Sequence, residues 1–81
     1  MPERLARIAE ICALRGRSRA TTYADIEAGL LTRGVKLGAR AVGWPIGEIE
    51  ALNAARIAGK SDEQIRALVK DLEAKRHLQA A

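Results

Sequence analysis

Apolar residues in the first third of the chain recur every three or four positions, which is the spacing of a helix face. They are Leu5, Ile8, Ile11 and Cys12, followed by Tyr23, Ile26 and Leu30. The first group predicts a helix over residues 5–14 that Gly16 ends, and the second predicts a helix over residues 19–28. Ser18 is the expected N-cap of the second helix, and Gly29 is its expected left-handed C-cap. Two short helices joined by a tight turn form a helix-turn-helix.

The pattern changes to alternation after residue 34, which is typical of strands. Residues 35–37 and 41–44 are the two predicted strands, and residues 38–40 form the loop between them. The apolar face expected to pack on the helices consists of Val35, Leu37, Val42 and Trp44. Lys36 and Arg40 are then expected to point outward. A hairpin this small is marginal alone, and a basic hairpin that follows a helix-turn-helix is a wing.

Two more helices complete the predicted fold. The third spans residues 46–58 and has Glu48 in its first turn, where a carboxylate suits the helix dipole. Its apolar stripe is Ile46, Ile49, Leu52 or Asn53, and Ile57. Ser61 and Gln64 have the spacing of a capping box at the start of a fourth helix over residues 62–78. The apolar face of that helix is Ile65, Leu68, Val69 and Leu72.

The 81 residues therefore predict one domain, mostly α with a small β-hairpin. Residues 1–60 form the winged helix-turn-helix, and residues 61–81 add an amphipathic C-terminal helix that packs on it or extends from it. The apolar face of this last helix either covers the core or binds a partner, which includes a second copy of the chain. Core coverage is the favoured interpretation.

Charge is distributed unevenly along the chain. Lys plus Arg number 14 and Asp plus Glu number 10, which gives a formal charge of +4. Residues 1–42 carry eight of the cations and four of the acids, so the entire excess lies with the helix-turn-helix and the hairpin. A polyanion such as nucleic acid suits this distribution, although an ordinary solvated basic surface explains the charge alone equally well.

The chain lacks the residues that most catalytic and metal-dependent functions need. One Cys and one His exclude an internal disulfide, a Cys-based zinc site and a multi-His metal site. No Ser/His/Asp or Cys/His catalytic set and no Gly-rich phosphate loop is evident, so we expect neither an enzyme nor a cofactor. No apolar run reaches the roughly 18 residues of a membrane span, and no signal peptide is evident. We therefore expect a cytoplasmic protein, associated with the nucleoid.

The second helix of a helix-turn-helix contacts base edges in the major groove of B-DNA through its N-terminal part. Arg19 is the expected base contact, most simply to guanine, and Thr22 is expected to meet a thymine methyl or a phosphate. Tyr23 offers its hydroxyl to a phosphate or its ring to the core. The candidate residues in and before this helix are Arg17, Ser18, Arg19, Thr21, Thr22 and Tyr23. The candidate wing residues, for the minor groove or its phosphates, are Arg33, Lys36 and Arg40.

Two segments, residues 35–44 and 48–50, resemble the AlpA family of small phage and mobile-element regulators. The helix-turn-helix positions that carry a weaker part of the resemblance are Arg7, Ile8, Ala9, Glu10, Ile11, Gly16, Ser18, Thr21, Tyr23 and Gly29. Together they cover about residues 5–58 and imply a MerR-like winged-helix fold. The chain departs from the family pattern at three places. Residues 32–34 lack the Pro that family members usually have, Leu52 stands where they often have Trp, and Ala24 stands where they often have a basic residue.

The resemblance implies double-stranded DNA binding without catalysis. Family members activate transcription of integrase genes or act as excisionases, also called recombination directionality factors, which bind and bend DNA near an attachment site. Excisionases of this type bind repeated sites as head-to-tail copies and assist an integrase. We expect the excisionase role, with transcription activation as the alternative. A rival hypothesis is a non-catalytic interaction protein that inhibits a partner through the apolar face of the fourth helix.

Overall fold

The computed structural model describes residues 4–80, with side chains described as far as residue 76. Within that range the order of helices and strands is β1 (Leu5–Ala6), α1 (Ile8–Arg15), α2 (Arg19–Glu27), β2 (Val35–Lys36), β3 (Val42–Pro45), α3 (Ile46–Ile57) and α4 (Asp62–Ala80). The fold is mostly helical with a small antiparallel sheet, as predicted. A hairpin that follows two short helices is consistent with a winged-helix architecture.

The first strand is an element that the sequence pattern does not reveal. Its two residues pair antiparallel with Trp44 and Pro45, so the sheet has the order β1-β3-β2. The prediction that the first helix begins at Leu5 is therefore wrong, and α1 begins at Ile8. The added strand gives β3 a neighbour on each side, which stabilises a hairpin that would be marginal as a two-stranded unit.

The apolar residues of the hairpin lie on both faces of the sheet. Lys36 pairs with Val42, and directly opposed residues of an antiparallel pair share a face. Because side chains alternate along a strand, Val42 lies on the face of Trp44, whereas Val35 and Leu37 lie on the opposite face. The predicted single inward face is therefore wrong. Leu37 is 44% exposed and Val42 is 40% exposed, whereas Trp44 is only 2% exposed.

One core joins the sheet, the helix-turn-helix and the two C-terminal helices. Its buried members are Ala6, Ile11, Leu31, Trp44, Ile49, Leu52, Ile65 and Val69. Ile65 and Val69 belong to α4, and Leu68 and Leu72 pack partly buried against the same cluster. A partner would have to displace this packing to reach the apolar face of α4. The predicted stripe of α3 is wrong at its end, because Ile57 is 87% exposed.

Local sequence signals set three helix ends as predicted. Gly16 ends α1 with a φ of 68°, in the left-handed region that glycine favours. Ser18 accepts a hydrogen bond at 3.1 Å from the amide of Thr21 in the first turn of α2. Ser61 and Gln64 form the capping box of α4 through reciprocal bonds of 2.9 and 3.2 Å. These short-range bonds confirm the predicted positions of the turns.

Candidate nucleic-acid interface

A nearly buried ion pair holds α2 against α1. Nη2 of Arg15 lies 2.6 Å from Oδ2 of Asp25, and the two side chains are only 7% and 12% exposed. Nη1 of Arg15 also donates to the hydroxyl of Thr22 at 3.3 Å. Sγ of Cys12 lies 3.5 Å from the same hydroxyl. Charge-assisted bonds are strong and directional, so this cluster fixes the rotation of α2 as well as its position.

Thr22 faces α1 and is fully buried. The expectation that it contacts a thymine methyl or a phosphate is therefore wrong. Asp25, three residues later, is also buried, so the inward face of α2 is partly polar. Apolar periodicity instead predicts an inward face that begins with Tyr23. The signal for this face is the spacing of Thr22 and Asp25 on one side of the helix, together with Arg15 at the end of the preceding helix.

The outward face of α2 carries Arg19 and Tyr23. Both are exposed, and Tyr23 is 48% exposed, so its ring lies at the surface and not in the core. The two residues are one helical turn apart, and Ala20 and Ala24 beside them are also exposed. No carboxylate among the described side chains forms an ion pair with Arg19. The first turn of α2 contains no acidic residue, so the positive end of the helix dipole adds to the charge of Arg19.

Three further candidates lie around the turn between α1 and α2. Nη1 of Arg17 is 3.7 Å from Oδ2 of Asp25, and the Arg17 side chain is 41% exposed. It therefore faces solvent while lying near the buried carboxylate. The hydroxyl of Ser18 donates to the hydroxyl of Thr21 at 3.0 Å and also accepts from the Thr21 amide. Both hydroxyls serve the helix cap, and both residues are exposed.

The β2–β3 hairpin, which we call the wing, carries two exposed cations, Lys36 and Arg40. Arg40 lies in the connecting loop, which is closed by a 2.8 Å bond from the amide of Leu37 to the carbonyl of Ala41. Across residues 4–76 no carboxylate forms an ion pair with either cation. The wing and α2 are linked through α1, which packs against both α2 and β3.

Arg33 precedes the wing, and its backbone is bound by α4. The Arg33 amide donates to Oε2 of Glu73 at 2.8 Å, and its carbonyl accepts from Nη2 of Arg76 at 2.7 Å. Arg76 also pairs with Glu48 at 2.6 Å, where the Glu48 side chain is 8% exposed. The sequence pattern indicates only a helix-dipole role for Glu48 and does not reveal this pair. The partner lies 28 positions away in the sequence, so no local pattern indicates it.

Two structural facts bear on other classes of function. Within residues 4–76, no three His, Cys, Asp or Glu side chains cluster closely enough to hold a metal ion. In the described part of the chain, no helix has both the length and the apolar character needed to cross a membrane.

Comparison with known proteins places the chain in a family. The family described as Prophage CP4-57 regulatory protein (AlpA) matches residues 4–57, which run from β1 to the end of α3 and leave α4 outside the match. Uncharacterized protein ORF88 of Enterobacteria phage P4 is 41% identical over 58 residues, which are 72% of this chain and 66% of that protein, just under two thirds of its length. No solved structure matches the chain. With more than half of its residues matched, the chain belongs to the AlpA family of prophage regulatory proteins.

Proposed function

We propose that this protein binds double-stranded DNA as a regulator of a prophage or other mobile element. One observation carries the proposal: the buried pair of Arg15 and Asp25 fixes α2 so that Arg19 and Tyr23 face outward. A helix that contacts bases in the major groove must be packed rigidly against the rest of the protein and must have an exposed polar face, because base contacts require precise geometry. Membership in a prophage regulatory family supports the same class of function.

Arg19 is the residue proposed to read a base. A guanidinium matches O6 and N7 of guanine in a bidentate geometry, and such a contact discriminates between bases by about 1–3 kcal/mol. The Tyr23 hydroxyl and the Arg17 guanidinium are proposed to bind phosphates on either side, which sets the register of the helix without reading sequence. Ser18 and Thr21 cap the helix, and its N-terminal amides are proposed to bind a phosphate.

The wing is proposed to bind the DNA next to α2. Arg40, in the loop at its tip, is proposed to enter the minor groove, where an A-tract narrows the groove and deepens its negative potential. Lys36 and the exposed side chain of Arg33 are proposed to bind phosphates along the flank. Each phosphate contact contributes about 0.9 to the slope of log K against log salt concentration, so the complex is expected to weaken steeply with salt.

Within this class we propose the excisionase role. Such a protein binds repeated sites near an attachment site, bends the DNA and assists an integrase, with copies in head-to-tail contact at the nucleoid. The four helices, β1 and β3 share one core, which suits an architectural protein that acts through its DNA contacts. Transcription activation of an integrase gene is the second candidate, and the regulatory description of the family favours it. A purely protein-binding inhibitor is disfavoured, because Ile65 and Val69, its proposed contact residues, lie in the core.

A gel-shift titration on DNA from the attachment region of the element tests DNA binding. With scrambled competitor present, a ladder of discrete bands is expected, because neighbouring repeats fill one after another. A single smear that disappears near physiological salt would contradict the proposal.

Two cellular assays then separate the finer roles. An excisionase raises integrase-dependent excision even when the integrase is supplied from an unrelated promoter. An activator raises output from a reporter of the integrase promoter and has no effect on excision once the integrase is supplied independently.

A further inference from the structure

Arg76, on α4, bonds to the chain on both sides of the wing. Its Nε and Nη2 atoms donate to the two carboxylate oxygens of Glu48 at 2.8 and 2.6 Å. Nη2 also donates to the carbonyl of Arg33 at 2.7 Å. Arg33 lies just before β2, and Glu48 lies in the first turn of α3, directly after β3. One guanidinium therefore joins the segment that leads into the wing to the helix that follows it.

Glu73 completes the attachment one helical turn before Arg76. Its Oε2 accepts the amide of Arg33 at 2.8 Å, so both backbone polar groups of Arg33 are bound by α4. The next residue, Gly34, lies directly on the sheet: a Cβ built there would be 2.2 Å from Cγ1 of Val42 and 3.0 Å from Cζ2 of Trp44. A displacement of Arg33 is therefore transmitted to β3. We call Glu48, Glu73 and Arg76 the wing clasp.

The clasp is partly shielded from water. The side chains of Arg76 and Glu48 are 22% and 8% exposed. The hydrogen bonds to Glu48 raise the pKa of the Arg76 guanidinium above its ordinary value. Bidentate guanidinium–carboxylate bonds in such surroundings are geometrically specific as well as strong, so the clasp defines an orientation and not only a proximity.

Contacts other than the clasp also hold α4 on the protein. Ile65 and Val69, in the N-terminal half of α4, are already in the core, and Leu72 packs against it. Glu73 and Arg76 follow this apolar contact, and their bonds reach the two flanks of the wing. Their bonds therefore add, beyond the apolar contact of α4, a direct link to the segments on each side of the hairpin.

We propose that Glu73 and Arg76 are positioning residues that hold the wing in a fixed orientation relative to α2. In this role α4, which lies outside the region matched by the family, controls a DNA contact that it does not itself make. The effect on DNA rests on the proposed function, whereas the effect on the wing does not.

The first test measures the wing without DNA. Glu73→Ala removes the acceptor for the Arg33 amide, and Glu73→Gln removes the same charge but keeps an acceptor oxygen. Asp71→Ala is the matched control, because Asp71 lies on the same helix and, among the side chains of residues 4–76, pairs only with Lys75, in an exposed ion pair. We expect faster hydrogen exchange at the Arg33 amide and lower NMR order parameters over residues 36–42 in Glu73→Ala, with both quantities near wild type in Glu73→Gln and Asp71→Ala. Unchanged wing order in Glu73→Ala would overturn the inference, whether or not the protein binds DNA.

The second test maps contacts on attachment-region DNA. In Glu73→Ala, hydroxyl-radical protection from the wing is expected to disappear while protection of guanine N7 by α2 remains. Equal loss of both protections, or loss of neither, would overturn the positioning role. A wild-type protein that protects no DNA would instead refute the proposed function, and the exchange and relaxation measurements would still decide whether the clasp orients the wing.

Discussion

Oδ2 of Asp25 lies 2.6 Å from Nη2 of Arg15, and this pair is the main polar link between the two helices of the helix-turn-helix. Its arginine also bonds to the hydroxyl of Thr22, so polar contacts join α2 to α1 in addition to the apolar packing of Ile26 on the core. Such hydrogen bonds weaken when a helix rotates by a fraction of a turn, because their strength depends on distance and angle, whereas apolar contacts tolerate small shifts. The outward direction of Arg19 therefore depends on residues that do not contact DNA.

Removal of the carboxylate charge is expected to destabilise the fold. Asp25→Asn leaves the Arg15 guanidinium nearly buried without a counter-charge, which costs about 3 kcal/mol or more of unfolding free energy. Urea denaturation followed by circular dichroism measures the loss. Asp71→Asn is the control, because it breaks an exposed pair with Lys75, and such pairs contribute below about 0.5 kcal/mol. Equal stability of the two variants would show that the buried pair does not hold α2.

Thr22 and Arg19 are expected to respond oppositely to substitution. Thr22→Val removes a buried hydroxyl that accepts from Arg15, so it should lower stability by about 1 kcal/mol and leave the DNA affinity of the folded protein unchanged. Arg19→Ala should leave stability unchanged and weaken specific binding by about 1–3 kcal/mol. Anisotropy titrations and melting curves on both variants check the pair. A large affinity loss in Thr22→Val with normal stability would mean that α2 rotates to expose this residue on DNA.

Gly34 is expected to tolerate no side chain. An added Cβ would lie 2.2 Å from Val42 and 3.0 Å from Trp44, whose indole N–H donates to the carbonyl of Thr32 at 2.9 Å. Gly34→Ala should therefore displace the wing, cost about 1–3 kcal/mol and shift the fluorescence of Trp44 to longer wavelength. Gly38→Ala, where no atom outside Gly38 and its two chain neighbours lies within 4 Å of the added Cβ, should change neither. Wild-type fluorescence and stability in Gly34→Ala would contradict the close packing of this segment on β3.

Acid is expected to break the exposed ion pair between Arg4, beside the first strand, and Glu10 of α1. The Arg4 guanidinium donates to both carboxylate oxygens of Glu10, and the Arg4 carbonyl accepts a hydrogen bond from the amide of Ile46 at 2.9 Å. The hydrogen bonds from Arg4 lower the pKa of the Glu10 carboxyl below its ordinary value. The stabilisation is therefore present above the ordinary carboxyl pKa and is lost as pH falls through the lowered value. NMR titration of the Glu10 Cδ signal should show a midpoint that rises in Arg4→Met. The same midpoint in both proteins would show that Arg4 does not lower the pKa of Glu10.

The elements predicted correctly are those fixed by neighbours in the sequence. Gly16, the Ser18 cap and the Ser61–Gln64 capping box all act within a few residues, and residue type alone identifies them. β1 escapes prediction because it has two residues, too few for a period, and pairs with a strand about forty positions later.

Hydrophobic periodicity could not predict the polar contacts of the candidate site, for a related reason. The buried positions of Thr22 and Asp25 are set by Arg15, and that of Glu48 by Arg76, so hydrophobic periodicity carries no information about them. The exposed candidates Arg19, Lys36 and Arg40 are easier to predict, because a long cation without a buried partner faces solvent in most settings. Their exposure is therefore predicted correctly although the apolar face of the hairpin and the position of Tyr23 are not.

Arg19 and Arg40 are proposed to bind DNA, while other residues maintain the fold. The most direct measurement compares the salt-dependent Kd for attachment-region DNA of the wild type, Arg19→Ala/Arg40→Ala and Lys60→Ala/Lys70→Ala. The two double variants lose the same charge, and Lys60 and Lys70 are exposed residues outside the proposed interface.

We expect the arginine variant to lose site-specific binding and to keep its melting temperature. Its salt slope should fall by about 0.9 for each phosphate contact removed, whereas the lysine variant should retain discrimination against scrambled DNA. Equal weakening in the two double variants, with discrimination intact in both, would mean that net charge alone attracts DNA and would contradict the account.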